Sequence, residues 1–175
     1  MSTGLILKLE SRERPAAQVS FAREYEETLH DVRSILTDLC EKLAEAPRIR
    51  FVISFLGESW QTDVGTDLPV VLEQLPDLKV GGTKPFVLDL YEQGLERSLH
   101  FVPLGEVIEV YCQSRRREWN PPAGVARLSR GQVRSTLLEL LEQFAEMAGA
   151  IGPTLVQHPW FVDWHGRATR AISEP

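Results

Sequence analysis

The chain has little cysteine and no long apolar run. Cys40 and Cys112 are its only cysteines among 175 residues, which is too few for a disulfide framework, and their spacing matches no metal-binding motif. No stretch reaches the ~18 consecutive apolar residues that a membrane-spanning helix needs. The first 15 residues carry five charged side chains where a signal peptide would be apolar. These features predict a cytoplasmic protein.

The spacings that mark common catalytic, nucleotide and metal sites are also missing. Residues 57–61 (GESWQ) begin like a nucleophile elbow but have Gln where G-x-S-x-G requires its second Gly. Residues 81–84 (GGTK) lack the rest of the phosphate-binding G-x-x-x-x-G-K-S/T loop. His158, Asp163 and His165 form a local group of metal-ligand types, but the tryptophans beside them favour an aromatic packing segment. The sequence therefore predicts no metal, no cofactor and no enzymatic activity.

Apolar residues that recur at steps of three and four predict two long amphipathic helices. The first is predicted to start at Ser20, a capping residue, and to end before Pro47, which cannot continue a helix. The second is predicted from Ser129 to about residue 150, because Ser129 and Gln132 match the S-x-x-Q capping box.

Alternating apolar and polar residues predict the strands. Five segments have this pattern or are rich in strand-forming residues: 5–9, 48–56, 86–91, 95–102 and 106–112. The last three are separated only by short turns, so they are predicted to form an antiparallel meander. The segments 57–65 and 114–128 are predicted to be loops.

These elements predict an α+β fold. Its sheet is expected to have four or five largely antiparallel strands, with the meander at its centre and both long helices on one face. The chain is predicted to be a single globular domain over residues 1–167, followed by a frayed tail at 168–175.

The charges are unevenly distributed along a chain whose net charge is −6. Residues 57–112 hold ten carboxylates against three basic side chains, whereas residues 113–134 hold six arginines against Glu118. Arginines beside Trp119 could bind phosphates and stack a base, but an acidic domain lacks the electrostatic footprint of a nucleic-acid-binding protein. The arginine-rich segment is therefore interpreted as a solvated loop or as a set of ion-pair partners for the chain's own carboxylates.

Alternation along the meander also predicts which side chains face away from the helices. The predicted partner-binding residues are those of this outward face and three from the preceding loop: Glu58, Trp60, Asp63, Asp89, Tyr91, Glu96, His100, Glu109 and Tyr111. Carboxylates attract a basic partner and tyrosines supply rigid contact area, so this set is interpreted as an acidic and aromatic binding surface. A second sheet face that is simply solvated is the alternative.

In size, acidity, α+β layout and lack of a catalytic motif, the chain resembles the bacterial immunity proteins of polymorphic toxin systems. That resemblance implies a non-enzymatic inhibitor in a bacterial cytoplasm, which neutralises a basic toxin or another basic protein partner by covering its active site. Such an inhibitor is expected to be a monomer or a weak homodimer, and to bind neither membranes nor nucleic acid.

Two other functions fit the same residues. A small enzyme or ligand-binding domain would have a pocket between the 57–65 loop and the sheet, and its acid–base candidates would be Glu58, Asp63, His100 and Cys112. A homodimer through the meander face would need the arginines at 115–117 of one chain to meet the carboxylates of the other.

Overall fold

The computed structural model describes residues 4–11, 21, 23–25, 31–46, 48–92 and 95–174. The strands are β1 (Leu5–Ser11), β2 (Ile49–Phe55), β3 (Glu58–Trp60), β4 (Phe86–Leu90), β5 (Arg97–Leu104), β6 (Val107–Ser114) and β7 (Ala126–Ser129). The helices are α1 (Val32–Ala44), α2 (Asp67–Gln74), α3 (Arg130–Ile151), α4 (Pro153–Val156) and α5 (Pro159–Ser173), and a 3₁₀ turn covers Leu75–Asp77.

The strands form two antiparallel sheets, which confirms the α+β class but replaces the single sheet that was expected. β1, β2 and β3 make a three-stranded sheet in that order, and β4, β5, β6 and β7 make a four-stranded one. The predicted meander is confirmed, since β4 pairs with β5 and β5 pairs with β6 in antiparallel register.

Glutamine side chains from the helices occupy an edge of each sheet. The Leu9 N–H in β1 donates to Oε1 of Gln143 in α3 at 2.9 Å. Gln74 of α2 accepts from the Asp89 N–H in β4 and donates to its carbonyl, both at 2.8 Å. Because these edge groups are satisfied by side chains, they are not available to join the two sheets into one.

Two segments predicted as loops contain short strands. β3 is the return strand of a hairpin with β2, and the turn between them places Leu56 and Gly57 at φ values of 50° and 85°. β7 lies at the end of the segment 114–128 and pairs with β6. Strands of three and four residues are too short for a readable alternation, so the sequence pattern missed both.

The helix α1 begins at Val32, later than predicted. The described residues between 21 and 25 are not helical, and the expected cap Ser20 and stop Pro47 lie outside the described residues. Asp31 caps the helix instead, and its side chain accepts a hydrogen bond from the first turn. The Asp31 side chain accepts the Ser34 N–H hydrogen bond that a carbonyl of a preceding helical turn would otherwise accept, so the helix can begin here.

The helix α3 starts at the predicted capping box. Ser129 Oγ accepts from the Gln132 N–H at 3.1 Å, and the Ser129 N–H donates to Gln132 Oε1 at 2.8 Å. The helix contacts β1 of the three-stranded sheet and both β6 and β7 of the four-stranded sheet. Its buried stripe consists of Val133, Leu137, Leu140, Leu141, Phe144, Ala148 and Ile151. A single helix therefore packs against both sheets.

The inner face of the meander is the one that alternation predicted. Its fully buried residues are Leu88, Leu90, Leu99, Phe101, Ile108 and Val110, and Cys112 is 8% exposed. The residues between them in sequence therefore point to the opposite face of the sheet.

The helix α5 is packed along its length. Trp164 is fully buried, and its Nε1 donates to the Leu72 carbonyl in α2 at 3.0 Å. Ala168 and Ile172 are also fully buried. The described residues of the segment 168–175, predicted as a frayed tail, are instead the packed end of this helix.

Replacing Ile172 by Ala tests the packing of this helix end. The substitution removes a fully buried side chain, so the free energy of unfolding should fall by about 2–5 kcal/mol. Urea denaturation measures the change, and Ser173→Ala, at an exposed neighbour, is the control. Equal stability of Ile172→Ala and the parent chain would mean that the segment is frayed after all.

Candidate functional site

The outward face of the four-stranded sheet carries a row of apolar and aromatic side chains. Val87, His100 and Tyr111 lie opposite one another on β4, β5 and β6, according to the register of the strands. The rings of His100 and Tyr111 stack, with centroids 4.8 Å apart and planes 8° from parallel. Val125, an exposed residue, precedes Ala126, where the pairing of β7 with β6 begins, so it lies outside the paired strands. We call Val87, His100 and Tyr111 the outer row.

The outer row is most exposed at Val87. This side chain is 40% exposed, while the rings of His100 and Tyr111 beside it are half-buried. Ser98 Oγ lies 2.9 Å from Nε2 of His100. Burial lowers the pKa of His100, and the Asp89 carboxylate opposes part of that shift. The imidazole is therefore neutral near pH 7 and stacks on the tyrosine without a charge.

Two ion pairs flank the outer row. Arg115 pairs with Asp89, and Arg127 pairs with Glu109 at 2.9 Å. Both carboxylates belong to the predicted binding surface, and both arginines come from the arginine-rich segment, which therefore supplies ion-pair partners at these two places. The face is apolar and aromatic with paired charges, rather than acidic. Arg115 is also one of the arginines that the homodimer alternative requires for contact with the other chain, and here it pairs with Asp89 of its own chain.

Tyr91 and Glu96 do not belong to the outer row, although alternation placed them on the outward face. The Tyr91 hydroxyl donates to Glu73 of α2, and the Arg33 guanidinium of α1 lies 5.9 Å from its ring centroid. Burial and the Glu73 carboxylate raise the pKa of Tyr91 to about 12. Glu96 precedes β5 at a φ of 44°, and its carbonyl accepts from the Arg115 N–H at 3.0 Å. Both residues lie beyond the paired strand ends, where alternation no longer applies.

Glu58 and Trp60 belong to a different group, built around Arg97 between the two sheets. The Arg97 guanidinium lies 3.5 Å from the ring centroid of Trp119 and 5.1 Å from that of Trp60. Glu58 accepts from Nε1 of Trp119 at 2.7 Å, and its carboxylate is 3.7 Å from Nη1 of Arg97. We call these four residues the Arg97 cluster. It connects β3 of one sheet, β5 of the other and the arginine-rich segment.

The Arg97 cluster is largely buried. The Arg97 side chain is 15% exposed, and neither its Nε nor Nε1 of Trp60 has a hydrogen-bond acceptor among the described residues. Burial lowers the pKa of Arg97, and the Glu58 carboxylate opposes the shift. The guanidinium keeps its charge at neutral pH and is stabilised by the two rings and the carboxylate. Trp60 is thus buried inside the protein, while Glu58, whose side chain is 38% exposed, is held by Trp119 and Arg97.

Asp63 fixes the chain before α2. Its Oδ1 accepts from the backbone N–H groups of Gly65 and Thr66 at 2.8 and 2.9 Å. Its own N–H donates to Oδ2 of Asp67 at 2.7 Å. Asp67 is 7% exposed, and burial raises its pKa, with a further increase from the neighbouring Asp63 charge. These two aspartates order a turn, and Asp63 is not part of the outer row.

A cleft of about 540 Å³ lies where the loop pocket was predicted, between β2 and the segment 59–64. Asp63 is at its wall, together with Phe51 and Thr62. The other acid–base candidates lie elsewhere: Glu58 is bound in the Arg97 cluster, and His100 is in the outer row. The structure does not bring the predicted acid–base set together.

Cys112 and His100 are on opposite faces of the four-stranded sheet. Cys112 pairs with Leu99 on the inner face, whereas His100 pairs with Tyr111. Burial raises the pKa of Cys112 to about 12, so the thiol is protonated and unreactive at neutral pH. Among the residues that the structure describes, no three histidine, cysteine or acidic side chains are grouped to hold a metal ion.

Sequence reasoning missed Arg97 and the structural role of Trp119. A signal for the arginine was present, because Arg97 has the same alternation phase as the buried Leu99 and Phe101. A charged residue in an inward phase requires acidic or aromatic partners. Trp119 carried no comparable signal, since it lies in an irregular segment far from Arg97 in the sequence.

Comparisons with known proteins do not assign the chain to a family. No family model matches it, and no curated protein or solved structure is significantly similar to it. None of the helices in the described ranges combines the length and the apolar character that a membrane span requires. The geometry of the surfaces is therefore the basis for the functional argument.

The Arg97 cluster predicts coupling between Glu58 and Arg97. Glu58→Gln keeps an acceptor for Trp119 but removes the carboxylate charge. The free energy of unfolding should therefore fall by about 1–2 kcal/mol, a loss between those typical of exposed and of buried ion pairs. In a chain that already carries Arg97→Met, Glu58→Gln should lower the free energy of unfolding much less. A double-mutant cycle measured by urea denaturation gives the difference. Glu118→Gln, which breaks an exposed ion pair with Arg116, is the matched control. Additive effects of the two substitutions would contradict the coupling.

Asp67 predicts a pH-dependent stability. Its pKa is raised on folding, so its contribution to stability is full below the pKa of the unfolded chain and is lost as pH rises through the folded value. Asp67→Asn keeps an acceptor for the Asp63 N–H but cannot ionise. Its free energy of unfolding, relative to the parent, should therefore increase between about pH 3 and about pH 7.

Urea denaturation at several pH values measures that difference. Asp77→Asn, at an exposed position, controls for the loss of one carboxylate. A difference between Asp67→Asn and the parent chain that stays constant with pH would show that burial does not perturb this carboxyl group.

Proposed function

We propose that this chain is a non-enzymatic binding protein whose outer row docks a basic protein partner, as an immunity-type inhibitor docks on a toxin. The observation that carries the proposal is the stacked pair of His100 and Tyr111 beside the exposed Val87. A sheet face that only meets water is usually polar. Apolar and aromatic side chains in one continuous row on such a face are typical of the core of a protein interface.

The position of the row on a paired sheet supports tight binding. The rings of His100 and Tyr111 are already fixed by their mutual stacking and by the strands that carry them. A partner therefore does not have to immobilise these side chains, which removes an entropic cost of about 0.5–1.5 kcal/mol for each.

The flanking ion pairs are weak enough to be exchanged for ion pairs with a basic partner. The Arg115 and Arg127 side chains are 55% and 76% exposed, whereas the carboxylates of Asp89 and Glu109 are 34% and 25% exposed. Exposed pairs of this kind contribute only about 0–1 kcal/mol. Cations of a partner can replace the arginines at little cost, and the net charge of −6 attracts such a partner over distance.

The experiment is affinity purification with the full chain as bait, from native lysate and with the product of the adjacent reading frame. A partner retained at low salt is then measured by surface plasmon resonance. The substitutions Tyr111→Ala and Val87→Ser together should weaken binding by at least about 10-fold, because they remove the apolar contact. Val162→Ser is the matched control, since Val162 is 58% exposed on α5, away from the sheet.

Glu109→Lys provides a second readout with the same partner. It reverses a charge beside the outer row, so association should slow at low salt and the difference should shrink as salt increases. The proposal fails if no basic partner is retained, or if Val162→Ser weakens binding as much as the outer-row variant does.

A further inference from the structure

A second cleft, of about 410 Å³, lies between the segment after α2 and the last turns of α5. Lys79 and Gly82 contribute to one wall, and Arg167 and Arg170 to the other. The volume falls within the range of about 300–1,000 Å³ that is usual for small-molecule sites. Arg167 is paired with Asp163 at 2.9 Å, whereas Lys79 and Arg170 form no ion pair with the residues that the structure describes. Two cationic side chains in the cleft are therefore available to a ligand.

Two further arginines hold the walls in place. Arg130 donates from Nη1 to the carbonyls of Val80 and Gly82, at 2.7 and 2.9 Å. Arg134 donates to the carbonyl of Ile172 in α5 and to that of Glu174, the residue after the helix, at 3.1 and 3.2 Å. Carbonyls at the end of a helix would otherwise repel an anion. Because Arg134 binds two carbonyls at this helix end, the C-terminal end of α5 opposes a negatively charged ligand less than an uncovered helix end would.

The charge around this cleft is opposite in sign to that of the whole chain. The cations that line the cleft or bind the backbone of its wall segments are Lys79, Arg130, Arg134, Arg167 and Arg170, and the carboxylates carried by the wall segments are Asp77, Asp163 and Glu174. Five positive charges against three negative ones form a local excess in a chain of net charge −6. An excess of this kind in a concave site favours an anion.

We propose that this cleft binds a small phosphorylated ligand through Lys79 and Arg170. Arginine presents planar paired donors that match phosphate oxygens, and lysine adds a compact positive charge. The Gly82 N–H donates to the Lys79 carbonyl at 3.0 Å, so the turn that carries Lys79 is held in place at the cleft. This inference goes beyond the proposed partner binding and does not depend on the outer row.

Calorimetric titration of the full chain with inorganic pyrophosphate at low ionic strength tests the proposal. Saturable binding is expected, and Lys79→Gln and Arg170→Gln should each weaken it by about 2- to 5-fold. Glu174→Gln should strengthen binding by a similar factor, because it removes a carboxylate from the cleft wall. Lys8→Gln, an equal change of charge on β1, should leave the affinity unchanged.

The combination of one strengthening and two weakening variants separates a specific site from general attraction. The proposal is overturned if pyrophosphate does not bind at up to about 10 mM, or if Lys8→Gln weakens binding as much as Arg170→Gln does. It is also overturned if sulfate, titrated at the same ionic strength, binds as tightly as pyrophosphate, because the site would then select charge rather than a phosphorylated ligand.

Discussion

The buried stripe of α3 is the constraint on which the rest of the structure depends. The helix packs against strands of both sheets, so the apolar side of each sheet must face it. Once these inner faces are fixed, alternation directs Val87, His100 and Tyr111 to the opposite face. A slip of β5 by one residue would bury His100 and expose Leu99, which the core does not tolerate. The outer row is therefore a consequence of the way the core is packed.

The two sheets are connected in two ways. The helix α3 connects them through apolar contacts, and the Arg97 cluster connects them through polar and cation–π contacts. A buried arginine rarely stabilises a protein more than apolar residues of the same volume would. Its contribution here is geometric, since it holds Trp119 and hence the segment that contains Arg115. That segment in turn supplies the cation that pairs with Asp89 beside the outer row. The segment that Arg97 contacts through Trp119 therefore also supplies one of the two ion pairs on the outward face.

The sequence predicted those parts of the fold whose pattern extends over enough residues. The meander, its inner face and the capping box of Ser129 and Gln132 all follow from local patterns of this kind. β3 and β7 are too short to show alternation, and the sheet edges carry glutamine contacts such as that of Gln74, which link residues 15 positions apart and leave no local pattern. In the predicted binding surface, His100 and Tyr111 are neighbours because they are paired strand residues. Glu58, Trp60 and Asp63 are not, because loop residues have no such register.

Charge counting along the chain misjudged the outward face because folding pairs distant segments. Asp89 and Arg115 are 26 residues apart and Glu109 and Arg127 are 18 apart, yet the strand order brings each pair together. Two blocks of opposite charge in the sequence thereby become alternating charges on one surface. The net charge of −6 still attracts a basic partner from a distance, since distant charges add together. Contact is decided by nearby charges, because screening removes interactions beyond about 8–10 Å. Under the proposed function, a basic partner attracted by the whole chain has to exchange ion pairs at the outer row before it can dock there.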